Sequence, residues 1–222
     1  LRENTVVVFL SDNGGVHETL DFRVKGAKLE VRNREFSNAP LRDGKGSAYE
    51  GGIRVPMIVR WPGVVKAGTV NRTPVHAVDL MPTFFEIAGA RAPEGYVQDG
   101  LSLGRVFRGG RMAERALYWY MPFYDLRWGA TPCAVIRQGR YKLVEHFGDH
   151  VDRARENSYV AEARIELFDL ERDLGERENL AVRMQERVKQ MRAQLQRWIG
   201  SAGATVPDLN PRFDAGRALE EQ

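Results

Sequence analysis

An apolar run near the start of the chain predicts a buried strand. Residues 5–11 are largely apolar and β-branched, without the alternation expected of a half-exposed strand. Such runs are typical of strands that are buried on both faces of a mostly parallel sheet. Asp12, Asn13 and two glycines follow at once, at the carboxyl end of the strand, where open α/β sheets place their functional sites. The pattern therefore predicts an α/β fold with a candidate site after this strand.

The next segments alternate between loop, strand and helix patterns. Residues 16–42 are polar without a clear period, which predicts a long functional or mobile loop. A second apolar segment, residues 53–61, predicts a strand with an irregular start. Asp79 is expected to cap a helix that ends at Gly89. His76 just before it can be a ligand or a packed or capping histidine, and general grounds favour the second interpretation.

The second half of the chain predicts a small antiparallel sheet covered by a helix. Short runs with a period of two are separated by turn residues, and they span residues 117–120, 134–137, 141–145 and 165–169. Residues 181–199 place apolar side chains at three- and four-residue spacing, with basic residues opposite. Such a helix can lie on a membrane or cover a sheet, and the second is the more common arrangement. We expect an α/β part at residues 1–112, a sheet-and-helix part at 113–200 and a tail at 201–222.

The composition limits the classes of protein to which this chain can belong. The chain has 222 residues, of which 43% are hydrophobic and 28% charged, as in an ordinary folded domain. The net charge of +3 comes from 33 basic and 30 acidic residues that are interspersed, so nucleic acid is not an expected partner. No apolar run reaches the ~18 residues of a membrane span. A single cysteine, Cys133, excludes a disulfide within the chain.

Two short motifs carry the candidate chemistry. Asp12 and Asn13 offer a carboxylate and an amide oxygen to a hard cation such as calcium, although Asp-Asn-Gly is also an ordinary turn. Lys45 lies between two glycines and can approach a tetrahedral anion as a mobile point charge. The alternative for this second motif is a glycine-rich surface turn. Glu50 and Arg54 farther along are expected to form an ion pair that shapes the loop.

Taken together, these motifs resemble the sulfatase family, within the alkaline-phosphatase-like superfamily, and most closely its bacterial exported branch. Four blocks carry the resemblance in the family's order and spacing: TVVVFLSDNGG at residues 5–15, NAPLRDGKGSAYEGGIRVPMIVRWPG at 38–63, VHAVDLMPTFFEIAGA at 75–90 and IELFDLERDLGERENLA at 165–181. The resemblance implies that the chain is the C-terminal portion of an alkaline-phosphatase-like sheet with helices, followed by a small antiparallel sheet packed by a C-terminal helix.

The resemblance also implies roles for individual residues. Asp12 and Asn13 would be two of the four side-chain ligands of a calcium ion, so the calcium site is incomplete in this chain. Lys45 would contact the sulfate group and help neutralise charge on the bridging oxygen. His17 is a candidate to line the cleft, although a loop histidine is more often simply solvated. The family's nucleophile, a formylglycine made from a C/S-x-P-x-R motif, is expected upstream, since the chain lacks that motif. Cys133 has a different setting and is interpreted as structural.

Relatives often carry histidines where this chain has Tyr120 and Phe123, so contacts with substrate cannot be transferred to these positions. The aromatic residues there are compatible with stacking on a sugar ring or, more commonly, with packing against the last helix. The expected substrate is a sulfate ester, including a sulfated carbohydrate, and the expected location is the periplasm or the exterior. An exposed apolar edge at residues 6–10 is expected to promote association of copies.

The sequence leaves three alternative functions for this chain. The first is a sulfuric ester hydrolase of which this chain supplies one part and which is inactive without the rest. The second is a phosphodiesterase or phosphonate monoester hydrolase of the same superfamily. The third is a non-catalytic chain that uses its half of the site for binding or within a split assembly.

Overall fold

The computed structural model describes residues 2–21, 28–208 and 211–212. The strands are β1 Val7–Leu10, β2 Glu18–Asp21, β3 Glu30–Arg34, β4 Met57–Arg60, β5 Ala116–Met121, β6 Cys133–Gln138, β7 Tyr141–His146, β8 His150–Asp152, β9 Ser158–Val160 and β10 Arg164–Asp169. The helices are α1 Glu50–Ile53, α2 Leu80–Ala88, α3 Gly104–Phe107 and α4 Gln185–Ser201. The chain forms two compact units, one of residues 1–11 with 56–115 and one of residues 12–55 with 116–222. The boundary predicted at residues 112 and 113 stays a prediction.

A two-stranded ribbon begins the first unit. β1 pairs with β4 in antiparallel register, with Phe9 opposite Ile58. Val7, Phe9 and Ile58 are 49%, 59% and 63% exposed. The prediction that the first strand is buried on both faces with parallel neighbours is therefore wrong for this chain. The apolar residues on both of its faces favoured that prediction, but among the described residues β1 has β4 as its partner and one face stays open.

The helix predicted after residue 79 is present in this unit. α2 begins at Leu80 and ends at Gly89, whose φ of 61° is the left-handed conformation that glycine adopts without strain. The cap is assigned differently from the prediction, because His76 accepts a hydrogen bond from the Val78 N–H while Asp79 accepts one from the His76 N–H. The interpretation of His76 as a capping residue is thus confirmed. Burial lowers the pKa of its imidazole.

A four-stranded antiparallel sheet forms the centre of the second unit. Its strand order is β10-β7-β6-β5, and all four strands were predicted to within one residue at each end. The turn between β6 and β7 passes through Gly139, which has a φ of 56°. This reversal is tight because glycine supplies the positive φ without a steric cost.

The central strands are covered on both faces. On one face, buried residues of the strands pack with Met191, Leu195 and Ile199 of α4: Ala134, Ile136, Leu143 and Leu167. On the other face, buried residues of the sheet and of the segment just after β10 pack with Ala48 and Tyr49 of the loop that precedes α1: Cys133, Val135, Val144, Phe168 and Leu170. Successive strand residues point to opposite faces, so β6 contributes Cys133 and Val135 to one layer and Ala134 and Ile136 to the other. The sheet therefore holds the candidate lysine loop on the face opposite α4.

The last helix covers the sheet, as predicted. Met191, Leu195 and Ile199 of α4 are buried in the core of this unit. The helix begins at Gln185 rather than at the predicted residue 181, because Leu180 donates its N–H to Leu167 and so remains tied to β10. Within the described residues, no helix combines the length and the apolar character needed to cross a bilayer.

Three further predictions need correction. Residues 16–42 contain the hairpin of β2 and β3, whose register includes an irregularity between Thr19 and Leu20, and not an unstructured loop. β8 and β9 form a second hairpin that the pattern did not indicate. The segment at 53–61 contains the strand β4, but its first residue closes the short helix α1 instead of starting a strand.

Candidate functional site

Glycines of the two candidate motifs pack backbone against backbone in the second unit. A Cβ on Gly14 would lie 1.7 Å from the carbonyl oxygen of Gly51, and one on Gly44 would lie 2.2 Å from that of Gly15. Gly14 also donates its N–H to the carbonyl of Gly52 at 2.9 Å. Only residues without a side chain allow this approach, so the glycines fix the two motifs against each other.

Lys45 reaches this junction through its backbone. Its N–H donates to the Gly15 carbonyl at 3.1 Å, and Asn38 bridges the same motifs by donating to Gly15 (2.8 Å) and to the carbonyl of Asp43 (3.0 Å). The Lys45 side chain is exposed, with its ammonium 6.0 Å from the centre of the Trp128 ring. It forms no salt bridge with any residue in the described part of the chain. Its charge is therefore available to an anion.

Asp12 and Asn13 begin the second unit directly before the packed glycines. Asp12 is exposed and accepts the Asn13 N–H on Oδ1 at 3.0 Å. Among the described residues, no group of three or more His, Cys, Asp or Glu side chains is arranged to hold a metal. A carboxylate and an amide oxygen suit calcium, which takes six to eight oxygen ligands. The two residues therefore fit part of a calcium site and do not complete one.

His17 lies at the edge of two cavities. Its Nδ1 is 3.0 Å from the Phe36 carbonyl oxygen, which can only accept, so Nδ1 carries the hydrogen. In the neutral imidazole Nε2 is then an acceptor. His17, Asp43 and Arg153 line both cavities, which measure about 650 and 520 Å³. The structure thus places His17 beside two cavities, and its contact with substrate stays a prediction.

Arg153 connects the hairpin to the lysine loop. Its guanidinium lies 3.2 Å from Asp43 Oδ1 and 3.6 Å from Glu18 Oε2, and it donates to the Trp128 carbonyl at 3.3 Å. Trp128 packs against Gly46, where a Cβ would lie 2.5 Å from that of the tryptophan. Asp43, Lys45 and Gly46 are therefore each fixed by a contact with another part of the unit. No sequence motif singles out Arg153, since its partners Glu18 and Asp43 lie far away along the chain.

A buried ionic cluster anchors the loop to the sheet. The ammonium of Lys142 on β7 lies 3.1 Å from Glu50 Oε1 and 2.8 Å from Glu176 Oε1, and all three side chains are at most 1% exposed. Glu176 also accepts the N–H of Glu50 at 2.6 Å. Burial raises the pKa of Glu176, and Lys142 opposes that shift. The predicted pair of Arg54 with Glu50 is present at 3.5 Å as the outer member of the cluster.

A second anchor joins the loop to β10. Arg42 stacks on the Tyr49 ring at 3.6 Å from its centre, and the Tyr49 hydroxyl donates to Glu166. Burial by itself would raise the pKa of Glu166. The nearby His146, whose Nε2 lies 3.6 Å from the carboxylate, the charge of Arg42 and the hydrogen bond from Tyr49 outweigh burial and lower it to about 2. Glu166 is therefore held as a carboxylate inside the unit.

Cys133 is a structural residue, as predicted. Its side chain is 2% exposed and belongs to the core layer beneath the loop. Burial raises the pKa of its thiol to about 12. Because the thiolate is the reactive form, this thiol is not a nucleophile in the folded chain.

The aromatic residues of β5 pack inside the unit. Tyr118 stacks on Trp198 of α4 with ring centres 4.7 Å apart, and the Tyr120 hydroxyl donates to the Thr205 carbonyl. Phe123 is 51% exposed. One face of the strand thus packs against the last helix, Trp119 and Met121 pack in the opposite layer, and Phe123 is left at the surface.

Comparison with known proteins shows the family and the fold. The family model described as "N-sulphoglucosamine sulphohydrolase, C-terminal" matches residues 44–201. A sulfatase of Formosa agariphila is 37% identical over 192 residues, which are 81% of this chain and 29% of that protein. Human arylsulfatase A is 31% identical over 191 residues, covering 81% of this chain and 34% of the relative. The crystal structure of Ps i-CgsB in complex with k-i-k-neocarrahexaose gives a TM-score of 0.63 at 28% identity, over 88% of this chain and 36% of that one.

The chain therefore spans about a third of the length of these relatives, and the family model covers more than half of the chain. The matched part of the relatives is their C-terminal region, as the description of the family model states. This chain belongs to the sulfatase family and corresponds to the C-terminal region of its members.

Proposed function

We propose that this chain supplies part of the active site of a sulfuric ester hydrolase, in which Lys45 contacts the sulfate group. The observation that carries the proposal is the hydrogen bond from the Lys45 N–H to the Gly15 carbonyl. It joins the lysine loop to the Asp12–Asn13 motif within a chain that belongs to the sulfatase family.

The chemistry of sulfate-ester cleavage suits this arrangement. Negative charge develops on the leaving oxygen, and a cation held there before the reaction stabilises the transition state more than the ground state. Lys45 is exposed and has no described carboxylate to neutralise it, while its backbone is fixed by glycine packing. Because the Lys45 backbone is fixed while its side chain is exposed, the ammonium can stay close to the negative charge as this charge builds up on the bridging oxygen.

Asp12 and Asn13 would hold one side of a calcium ion through their side-chain oxygens. The ion would supply further positive charge to the sulfate group. The remaining ligands and the formylglycine nucleophile are expected to come from residues outside this chain. By this proposal the chain alone has no sulfatase activity.

We also propose that the substrate is a sulfated carbohydrate. We further propose that the protein is exported, to the periplasm or to the outside of the cell. The first is supported by Ps i-CgsB, whose structure contains k-i-k-neocarrahexaose, and by the polar walls of the cavities beside His17. The second follows from the resemblance to the exported bacterial branch.

Sulfate release by the protein expressed from its complete gene tests the proposal. Lys45→Ala is expected to lower kcat about 10²-fold or more, the loss typical of removing one electrostatic contact to the transition state. Lys189→Ala, at an exposed position of α4, serves as the matched control and should retain activity. Undiminished activity of Lys45→Ala would refute the role of Lys45. Faster turnover of a phosphodiester or a phosphonate monoester than of any sulfate ester would favour the other hydrolase classes.

A further inference from the structure

A third cavity lies within the first unit, whereas all the residues to which we assign sulfate or calcium binding belong to the second unit. Its volume of about 510 Å³ is within the range of ~300–1,000 Å³ that is usual for sites of small ligands. Its walls are β4, the loop at residues 64–75, and α3 with the two residues that follow. Every residue of this unit except residue 1 is described, so the composition of the walls is known.

The wall of this cavity is mostly apolar. Nine of its fifteen described lining residues are apolar, among them Met57 and Val59 of β4 and Val106 and Phe107 of α3. Such a wall favours an alkyl or aryl group, because the apolar surface of both partners leaves water when the group binds.

Contacts within the unit hold the walls in place. Trp61, directly after β4, packs edge-on against Phe107 of α3 with ring centres 6.4 Å apart. The Val65 N–H donates to the Trp61 carbonyl at 2.9 Å, which fixes the start of the loop. The Asn71 side-chain amide donates to the Gly110 carbonyl at 3.3 Å and so ties the loop to the segment after α3. The cavity is therefore bounded by a loop that is attached to both of the other walls.

The charged residues at the cavity are positive. Lys66 and Arg108 line it, and its described lining contains no acidic residue. Arg108 lies 3.0 Å from Glu86, which does not line the cavity. Lys66 is exposed and forms no salt bridge within the part of the chain that the structure describes. One positive charge thus stays uncompensated beside an apolar wall, which favours an anion over a cation.

From these observations we infer that the first unit binds a small amphipathic anion, with its alkyl or aryl part in the cavity and its single negative charge at Lys66. The class of ligand is that of a fatty acid or another apolar carboxylate. This inference does not rest on the role proposed for Lys45, and its test requires no sulfatase activity.

Isothermal titration calorimetry on the protein expressed from its complete gene tests the site. The probes are octanoate, butanoate and octyltrimethylammonium, which vary the chain and the charge separately. Butanoate should bind about 100-fold more weakly than octanoate, because it buries four fewer methylene groups. Octyltrimethylammonium keeps the chain and reverses the charge, and should bind about tenfold more weakly than octanoate.

Two exposed positions allow variants that do not disturb the core. Lys66→Glu should weaken octanoate binding about tenfold, since an attraction is replaced by a repulsion of similar size. Val70→Glu adds a carboxylate to the wall at a residue that is 81% exposed, and should act in the same direction. Lys189→Glu and Val182→Glu are the matched controls, because Lys189 is also an exposed lysine and Val182 is also 81% exposed, but both lie in the second unit. They should leave the affinity unchanged.

Three results would overturn the inference. The first is no binding of octanoate by the whole protein. The second is equal affinity for octanoate and octyltrimethylammonium, which would mean that the positive charge selects nothing. The third is octanoate binding that Lys66→Glu and Val70→Glu change no more than their controls do, which would place the ligand on another apolar surface.

Discussion

Single glycines decide how the two motifs meet. Gly14 is packed so closely on Gly51 that even a methyl group would lie 1.7 Å from a carbonyl oxygen, which belongs to the rigid backbone. We therefore expect Gly14→Ala to lower the free energy of unfolding by about 1–3 kcal/mol or more, since overpacking forces the backbone to move. Chemical denaturation measures the loss.

Gly200→Ala is the matched control for this substitution. Gly200 lies in α4 with nothing within 4 Å of the added Cβ, so alanine should be neutral or stabilise the helix by about 0.5–1 kcal/mol. If Gly14→Ala is as stable as the unmodified chain, the two motifs are not held together by this contact.

Sequence reasoning found the residues that act locally and missed those that act through distant partners. Asp12, Asn13 and Lys45 stand in short motifs whose glycines are visible in the sequence, and the structure places the two motifs side by side. Their roles in calcium and sulfate binding stay predictions. Lys142 and Glu176 gave no comparable signal, because a charge in a strand or turn does not reveal the buried partner that neutralises it.

At the scale of elements, the strands and helices that have an apolar period of their own were predicted, and those without one were missed. The strands β5, β6, β7 and β10 and the helices α2 and α4 each show an apolar pattern of their own, and all were predicted. The β2–β3 hairpin was not, because each of its strands carries a single apolar residue, Leu20 and Val31, which is too few to show a period. Its buried residue Leu20 packs with Leu126, Val151 and Tyr159, which come from distant parts of the chain. Tertiary contacts of this kind leave no period in the sequence.

The attachment of the lysine loop to β10 is expected to weaken in acid. The pKa of Glu166 lies at about 2 in the folded chain, below its ordinary value of 4.5. The stability that its charged form contributes is therefore complete above about pH 4.5 and is lost as the pH falls towards 2, about 3 kcal/mol in all. Urea unfolding at several pH values should show a smaller loss of stability in acid for Glu166→Gln than for the unmodified chain.

Glu171→Gln is the matched control for Glu166→Gln, since Glu171 is 69% exposed and does not belong to the buried network. Its unfolding should follow the pH dependence of the unmodified chain. Parallel curves for Glu166→Gln and the unmodified chain would mean that other groups cause the acid sensitivity.

At the scale of the whole molecule, the first unit presents an apolar face that the described residues leave open. Val7, Phe9 and Ile58 lie on one face of the β1–β4 ribbon, because Phe9 is directly opposite Ile58 and Val7 is two residues from Phe9. Each large apolar side chain gains about 1.5–3 kcal/mol when it is fully buried. An exposed ribbon of this kind is also a template for strand pairing. We therefore predict that copies of this chain associate through the ribbon.

We expect the purified chain to self-associate and Phe9→Lys to shift it towards the monomer, since a lysine at the centre of the face would have to be desolvated in the contact. Size-exclusion chromatography with light scattering over a range of concentrations measures the change. Val182→Lys replaces a valine that is 81% exposed and lies outside the ribbon, and should leave the mass unchanged. A clean monomer of the unmodified chain at every concentration would show that the open face does not bind a second copy. Association that persists in Phe9→Lys would place the contact elsewhere on the surface.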